Sequence, residues 1–333
     1  MIGAELAAAD LNAAGGILGR PLELDIVEER HETTPREAIA TAERLAADRR
    51  VLAVIGHHRS SVSLAASQVY NAGHLPQIAP NSSAPLYTLA GPYSYRLVAS
   101  DVHQAEFIAA RIAAMSPVPR IATLYVNDDY GRAFKGLLHG ALREAGASPL
   151  YEAPFLEGEA RLNLSRDDIL RALDDIQPDL LLWIGAFKEL GLLRAPLRQA
   201  LPGMRVMGGD AVAEGSSFSG LPEFTGDLMV SYVDVTAPRP ALRSVAARFE
   251  SAAGRPLTDA AALSYDALGI VAAALRAGAS DREEIRRYLD SLALPEHAYP
   301  GITGAIHLDA NGDGHPSYVL FEVTPTGLRP VGR

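Results

Sequence analysis

With 333 residues, 48% of them hydrophobic and 21% charged, the chain has enough material for about two globular cores. A formal net charge of −10 argues against nucleic acid or an anionic membrane as the main partner. The absence of cysteine excludes disulfides, thiolate metal sites and cysteine nucleophiles, and no apolar run reaches the roughly 20 residues that a membrane helix needs.

Met1 leads directly into Ile2 to Leu11, which reads as a helix. No secretory leader is visible, so either one was removed ahead of this start or the protein is not exported. Leu22 to Val27 alternates like a strand. Thr34-Pro35-Arg36-Glu37 is a capping box with proline at the first helical position, so a helix should begin at Pro35. Val51 to Ile55 is a continuous apolar run, as in a strand buried on both faces, and a helix follows from Ser61 to Ala72. Pro76 to Ala79 is a short strand, and Asp101 should cap a helix that runs to Met115. Ile121 to Val126 is another strand, followed by a helix from Tyr130 to Ala145. Leu180 to Ile184 and Arg205 to Met207 are strands flanking a helix from Lys188 to Gln199.

After Tyr232 the rhythm changes to successive helices, Pro240 to Ala253, Thr258 to Ala277 and Asp281 to Leu292. Short strands close the chain at Gly304 to Leu308 and Ser317 to Val323. Strands alternating with helices imply an α/β fold with mostly parallel sheets. With no low-complexity linker in view, two domains would be joined by strand-like crossovers.

In open α/β sheets ligands sit outside the carboxyl ends of the strands. The residues just after each predicted strand are therefore the candidates. They are Gly56-His57-His58-Arg59-Ser60-Ser61, Pro80-Asn81-Ser82-Ser83, Asn127 to Gly131 with Tyr130, Gly185-Ala186-Phe187, and Gly208-Gly209-Asp210. A serine at a helix start is ordinarily a cap, and an aspartate after a strand is ordinarily a turn former. Gathered on one rim they suit a zwitterion. Helix N–H groups and hydroxyls would take a carboxylate, Asp210 an ammonium, and Tyr130 and Phe187 would wall the side chain.

Other motifs are weaker. Adjacent His57 and His58 point different ways and have no carboxylate cluster beside them in sequence, so no metal is assigned. Asp309-Ala310-Asn311-Gly312-Asp313-Gly314 resembles the start of a calcium loop, but Leu320 stands where the bidentate glutamate belongs, so a hairpin turn is expected. No phosphate-binding glycine loop and no nucleophile–base spacing occurs, so neither enzyme activity nor a cofactor is expected.

At these residues the sequence resembles the leucine/isoleucine/valine-type substrate-binding proteins of ABC transporters, which have the type I periplasmic-binding-protein fold. The resemblance covers nearly the whole chain. It is carried by Gly3 to Ile17 with Asn12-Ala13-Ala14-Gly15-Gly16, by Val54-Ile55-Gly56-His57 with Ser60-Ser61, by Ile78-Ala79-Pro80 with Ser82-Ser83, and by Asp129-Tyr130-Gly131. It implies two doubly wound parallel-sheet lobes, residues 1–101 with 235–312 and 102–234 with 313–333, and a ligand cleft between them. It also implies that Ser60 binds the ligand carboxylate, that Asn81 offers a backbone carbonyl to the ammonium, and that Ser83 contacts both ends, with Ser82 beside it. Asp210 would pair with the ammonium, and Tyr130 and Phe187 would form pocket walls. Asp210 is a methylene shorter than the family's common glutamate, and Phe187 stands where many members carry tyrosine. Arg59 either faces solvent, the preferred reading, or meets a second acidic group. The family begins with a strand before its first helix, so that first strand is expected to be absent here. The implied role is an amino-acid-binding receptor, periplasmic or extracellular, that hands a small amino acid or a related carboxylate or amide to a membrane permease. The alternative is the ligand-sensing domain of a regulator or receptor.

Overall fold

The computed structural model describes all residues except 30–32, 214–217, 315–317 and 333. In chain order the first elements are α1 (Ile2–Ala13), α2 (Pro35–Ala47), β1 (Val54–Ile55), α3 (Ser60–Ala72), β2 (Gln77–Ala79) and β3 (Ser94–Arg96). Then come α4 (Asp101–Ala113), β4 (Ile121–Val126), α5 (Asp129–Glu144), β5 (Tyr151–Phe155), α6 (Glu159–Ile176), β6 (Leu180–Ile184), α7 (Phe187–Ala200), β7 (Arg205–Gly208), α8 (Asp210–Ala213) and β8 (Leu228–Ser231). The chain ends with α9 (Pro240–Ala253), α10 (Asp259–Arg276), α11 (Arg282–Ser291), β9 (Tyr299–Gly301), β10 (Gly304–Ile306), β11 (Val319–Thr324) and β12 (Gly327–Pro330). These elements form two compact units, Met1–Ser100 with Ala237–Ser317 and Asp101–Thr236 with Tyr318–Arg333.

In the first unit, β1, β2 and β3 make a parallel sheet in that order. The capping box starts α2 as expected: the Glu37 amide donates to Thr34 Oγ1 at 3.3 Å, and the Thr34 amide donates to the Glu37 carboxylate at 2.7 Å. Ala38, Ala42 and Leu45 of α2 then pack on Val62, Ala66 and Tyr70 of α3. Helix α10 is apolar nearly all round, with 13 of its 18 residues buried, as befits a helix enclosed on every side. Arg282 closes this unit's open helix ends, donating to the carbonyls of Ala46, Asp48, Val51 and Gly73.

Leu22 to Val27 is not a strand. Its alternation serves packing, since Leu22 and Leu24 lie against the cluster of Ala7, Ala8 and Leu268, but no described strand pairs with it, and the Leu22 amide and carbonyl are taken by the Asn12 side chain. A strand needs a neighbour for its N–H and C=O groups, and pattern alone supplies none. The apolar run from Val51 likewise forms ladder bonds only at Val54 and Ile55. At the other end, the expected strand start at Ser317 lies outside the described residues, and β11 runs from Val319.

The second unit holds a seven-stranded sheet in the order β12-β11-β8-β7-β6-β4-β5. Strands β8 to β5 are parallel, and β11 and β12 add an antiparallel edge, a common finish for a doubly wound sheet. Apolar clusters cover both faces, one around Trp183, Phe155 and Leu193, the other around Phe134, Ile108 and Leu182. At the amino ends of β7 and β8 the fully buried Arg194 forks onto Asp227, with Nε to Oδ2 at 2.5 Å and Nη2 to Oδ1 at 2.8 Å.

Candidate functional site

In the first unit two loops lie side by side because β1 and β2 are adjacent and parallel. Residues 56–59 follow β1, and residues 80–84 follow β2. Polar contacts join them. The Ala84 amide donates to Ser60 Oγ at 3.2 Å, and Asn81 Nδ2 lies 3.2 Å from His58 Nδ1. Ser82 Oγ is 2.6 Å from Ser63 Oγ and donates to the His57 carbonyl at 3.2 Å. Ser60 and Asn81 are half-buried, whereas Ser82 and Ser83 are buried. The structure thus brings Ser60, Asn81, Ser82 and Ser83 together. It turns Ser82 inward as an anchor of the loop.

Ser60 is the first residue of α3, and Arg59 is its N-cap without a side-chain cap bond. The Ser60 hydroxyl therefore serves the neighbouring loop and not its own helix. Above it, the first amides of α3 have no partner within the helix, so they carry the helix's positive end. Arg59 does not reach into solvent. It folds back, half-buried, and donates to the Thr33 carbonyl.

His57 also has a structural assignment. Its Nδ1 lies 2.8 Å from the Glu29 carboxylate and its Nε2 lies 3.3 Å from the Tyr70 hydroxyl. Burial pushes the Glu29 pKa up, but hydrogen bonds and charge from His57 and His58 together outweigh this and leave it below the ordinary carboxylate value. Asp309 likewise spends its carboxylate on its own turn, accepting from the amides of Asn311 at 2.8 Å and Asp313 at 2.9 Å.

In the second unit β4, β6 and β7 are neighbours, so the residues after their carboxyl ends share one edge of the sheet. Tyr130 stands in the first turn of α5, whose start is fixed by Asp128 accepting from the Gly131 amide at 2.7 Å. Its ring stacks on Phe134 at 5.9 Å. Phe187 opens α7 and packs against Phe218 and Phe224, each at 5.4 Å. Both rings are half-buried.

Asp210 begins α8 and is half-buried. Gln104 Nε2 donates to its carboxylate at 2.8 Å and to the Tyr232 hydroxyl at 3.2 Å. Removal from water raises the Asp210 pKa, against the pull of these hydrogen bonds. Its side-chain partners are a neutral amide and a phenol. Among the described residues no lysine, arginine or histidine forms an ion pair with it.

Sequence reasoning had no access to Gln104, Tyr232 or Arg96. Gln104 sits inside an amphipathic helix 106 residues from Asp210. Arg96 closes a three-residue strand and meets an aspartate 217 residues away. A polar residue at a buried helical or strand position was the one available signal.

The family model for periplasmic binding proteins matches residues 1–327. An amino acid binding protein from Pseudomonas aeruginosa is 26% identical over 325 residues, spanning 96% of this chain and 84% of that protein. The Leu/Ile/Val-binding protein of Escherichia coli is 27% identical over 316 residues, spanning 93% and 82%. The crystal structure of an ABC transporter substrate-binding protein from Desulfitobacterium hafniense in complex with Leu superposes with a TM-score of 0.79 at 24% identity, covering 99% of this chain and 94% of that one.

Proposed function

The chain belongs to the periplasmic binding protein family, and from that premise we propose that it is the solute-binding receptor of an ABC transporter and takes an amino-acid-like ligand. Leucine, isoleucine and valine are the first candidates, because they are what its Escherichia coli relative is named for. The observation that carries the reading is Asp210. A half-buried carboxylate whose partners among the described residues are neutral is costly, and an arriving ammonium removes that cost.

The other groups complete a zwitterion's needs. Ser60 and the first amides of α3 receive the carboxylate, and Asn81 and Ser83 offer polar contacts next to it. Ser82 supports them from behind. Tyr130 and Phe187 supply apolar walls for the side chain. The loaded form is what a membrane permease would take up, and the proposed location is the periplasm or the outside of the cell. Binding and release are the whole task, so the reading assigns no turnover and no cofactor.

The test is a thermal-shift screen against the standard amino acids, small amides, and aliphatic and aromatic carboxylates. A ligand at 100 times its dissociation constant stabilises a fold by about 2.7 kcal/mol. Stabilisation by α-amino acids alone supports the zwitterion site. Stabilisation only by carboxylates lacking an amine would remove the role given to Asp210.

A further inference from the structure

Arg96 ends β3 and is fully buried. Its Nε and Nη2 fork onto both oxygens of Asp313, at 2.7 and 2.8 Å. The remaining edge of the guanidinium reaches the loop after β2: Nη1 donates to the Ala84 carbonyl at 2.8 Å and, more weakly, to the Ser82 carbonyl at 3.4 Å. The Ala84 amide is the group that donates to Ser60 Oγ. A continuous chain of contacts therefore runs from Asp313 through Arg96 and Ala84 to Ser60.

Asp313 is itself held in place. The turn from Asp309 to Gly314 lies along β3, with the Arg96 amide donating to the Gly312 carbonyl at 3.0 Å and the Gly314 amide to the Val98 carbonyl at 3.1 Å. A Cβ at Gly312 would stand 2.9 Å from the Ser94 carbonyl oxygen, and one at Gly314 would stand 2.3 Å from that of Leu97. Gly312 also has φ of +85°, which other residues rarely adopt. The glycines and acids that resemble a calcium loop in sequence thus serve to seat one carboxylate against one guanidinium.

We infer that Arg96 and Asp313 form a positioning pair for the ligand loops, setting where Ser60 and Ser83 stand. The inference rests on the ligand site proposed above. Residues 80–84 form neither helix nor strand; the Ala84 carbonyl accepts from the Tyr87 amide at 3.0 Å, and Arg96 supplies its second donor and reaches the Ser82 carbonyl as well. A rigid guanidinium with one edge locked by a carboxylate can orient two carbonyls at once. Apolar residues of equal volume could fill the space and keep the fold, but they could not orient those carbonyls. Neither residue touches the ligand in this scheme. Both act through Ala84 and Ser82.

The test uses the full chain, Asp313→Asn as the main variant and Arg96→Lys as the second, should the first not fold. Asp227→Asn, which disturbs the buried pair of the other unit, is the control. Two quantities are read: leucine affinity by calorimetry, and amide hydrogen exchange over residues 80–85 without ligand. The expected result is leucine binding at least tenfold weaker and faster exchange at Ala84 in Asp313→Asn. The control should show a lower melting temperature with both readouts as in the parent. Parental affinity and parental exchange in Asp313→Asn overturn the inference, whatever its melting temperature. So does a control that weakens leucine binding as much, because the effect would then be one of general stability. If the parent itself does not bind leucine, leucine fails as the candidate ligand, and the exchange measurement alone decides the positioning role.

Discussion

The two units each contain one fully buried arginine forked onto an aspartate, and the two pairs differ in where they stand. Arg194 and Asp227 lie at the amino ends of β7 and β8, and Asp227 also accepts from the Val206 amide at 2.9 Å. Arg96 and Asp313 lie at the carboxyl end of β3, where the guanidinium turns its free edge to a loop. Ligands gather outside the carboxyl ends of strands in such sheets. The same ion pair is therefore a fastening of the scaffold in one unit and a support for the site in the other. Position along the strand, and not the strength of the pair, separates the two roles.

The largest expected effect tests the scaffold side. Asp227→Ala leaves the Arg194 charge buried without its partner, which should destabilise the protein by about 3–5 kcal/mol. Urea unfolding of the ligand-free protein measures it. Ligand affinity should not change in the fraction that stays folded. A loss below about 1 kcal/mol, or a parallel loss of affinity, would erase the distinction between the two pairs.

The next effect has the opposite signature. Asp210→Ala should weaken binding of an amino acid by about 2–5 kcal/mol, because it removes one member of a desolvated charge pair. Ligand-free stability should hold or rise, since a half-buried carboxylate with no cation beside it among the described residues is a liability until ligand arrives. Calorimetry on the folded variant decides it, and retained affinity would take the ammonium away from Asp210. Ser60→Ala should cost less, about 1–3 kcal/mol of binding, because the α3 amides remain to hold the carboxylate. In Ser60→Ala the Ala84 amide also loses its acceptor, so exchange there should quicken without change in the Arg96–Asp313 contacts.

How much of this the sequence announces follows from how local each cause is. The start of α2 is a matter of four consecutive residues and is read correctly to the residue. The two serine loops are legible because hydroxyl-rich segments follow apolar runs. Helix α6 is not legible. Its buried residues Leu162, Ile169 and Leu173, seven and four apart, do share one helical face, but they stand among so many charges that the face is faint in the sequence. Leu22 to Val27 fails the other way, since it carries the pattern of a strand without a pairing neighbour. Gln104 and Arg96 are legible only with the fold in hand, because each acts on a partner more than a hundred residues away. The serine, aspartate and aromatic positions could be proposed from sequence, but what holds them could not.

Acid titration yields the smallest effects and sets the two units against each other. Burial raises the Asp210 pKa above the ordinary aspartate value of 3.8. A carboxyl raised on folding adds stability below its unfolded pKa and loses it as the pH rises through the folded one. Ionised Asp210 thus weakens the ligand-free protein near neutrality, and acidification relieves it. Glu29 is the reverse case. Its pKa lies below the ordinary 4.5 because the contacts with His57 and His58 together outweigh burial, so its contribution is present above that value and is lost as the pH falls through the folded one. Ligand binding should follow Asp210. Affinity should fall as the pH drops from neutrality toward about pH 4, because a protonated Asp210 no longer pairs with an ammonium. Calorimetric titrations across that range should show the decline in the parent and none in Asp210→Asn, whose affinity is weak throughout. Glu29→Gln should leave the decline in place and flatten only the acid limb of the stability curve. An affinity that stays level down to pH 4 in the parent would mean that the ammonium is held elsewhere.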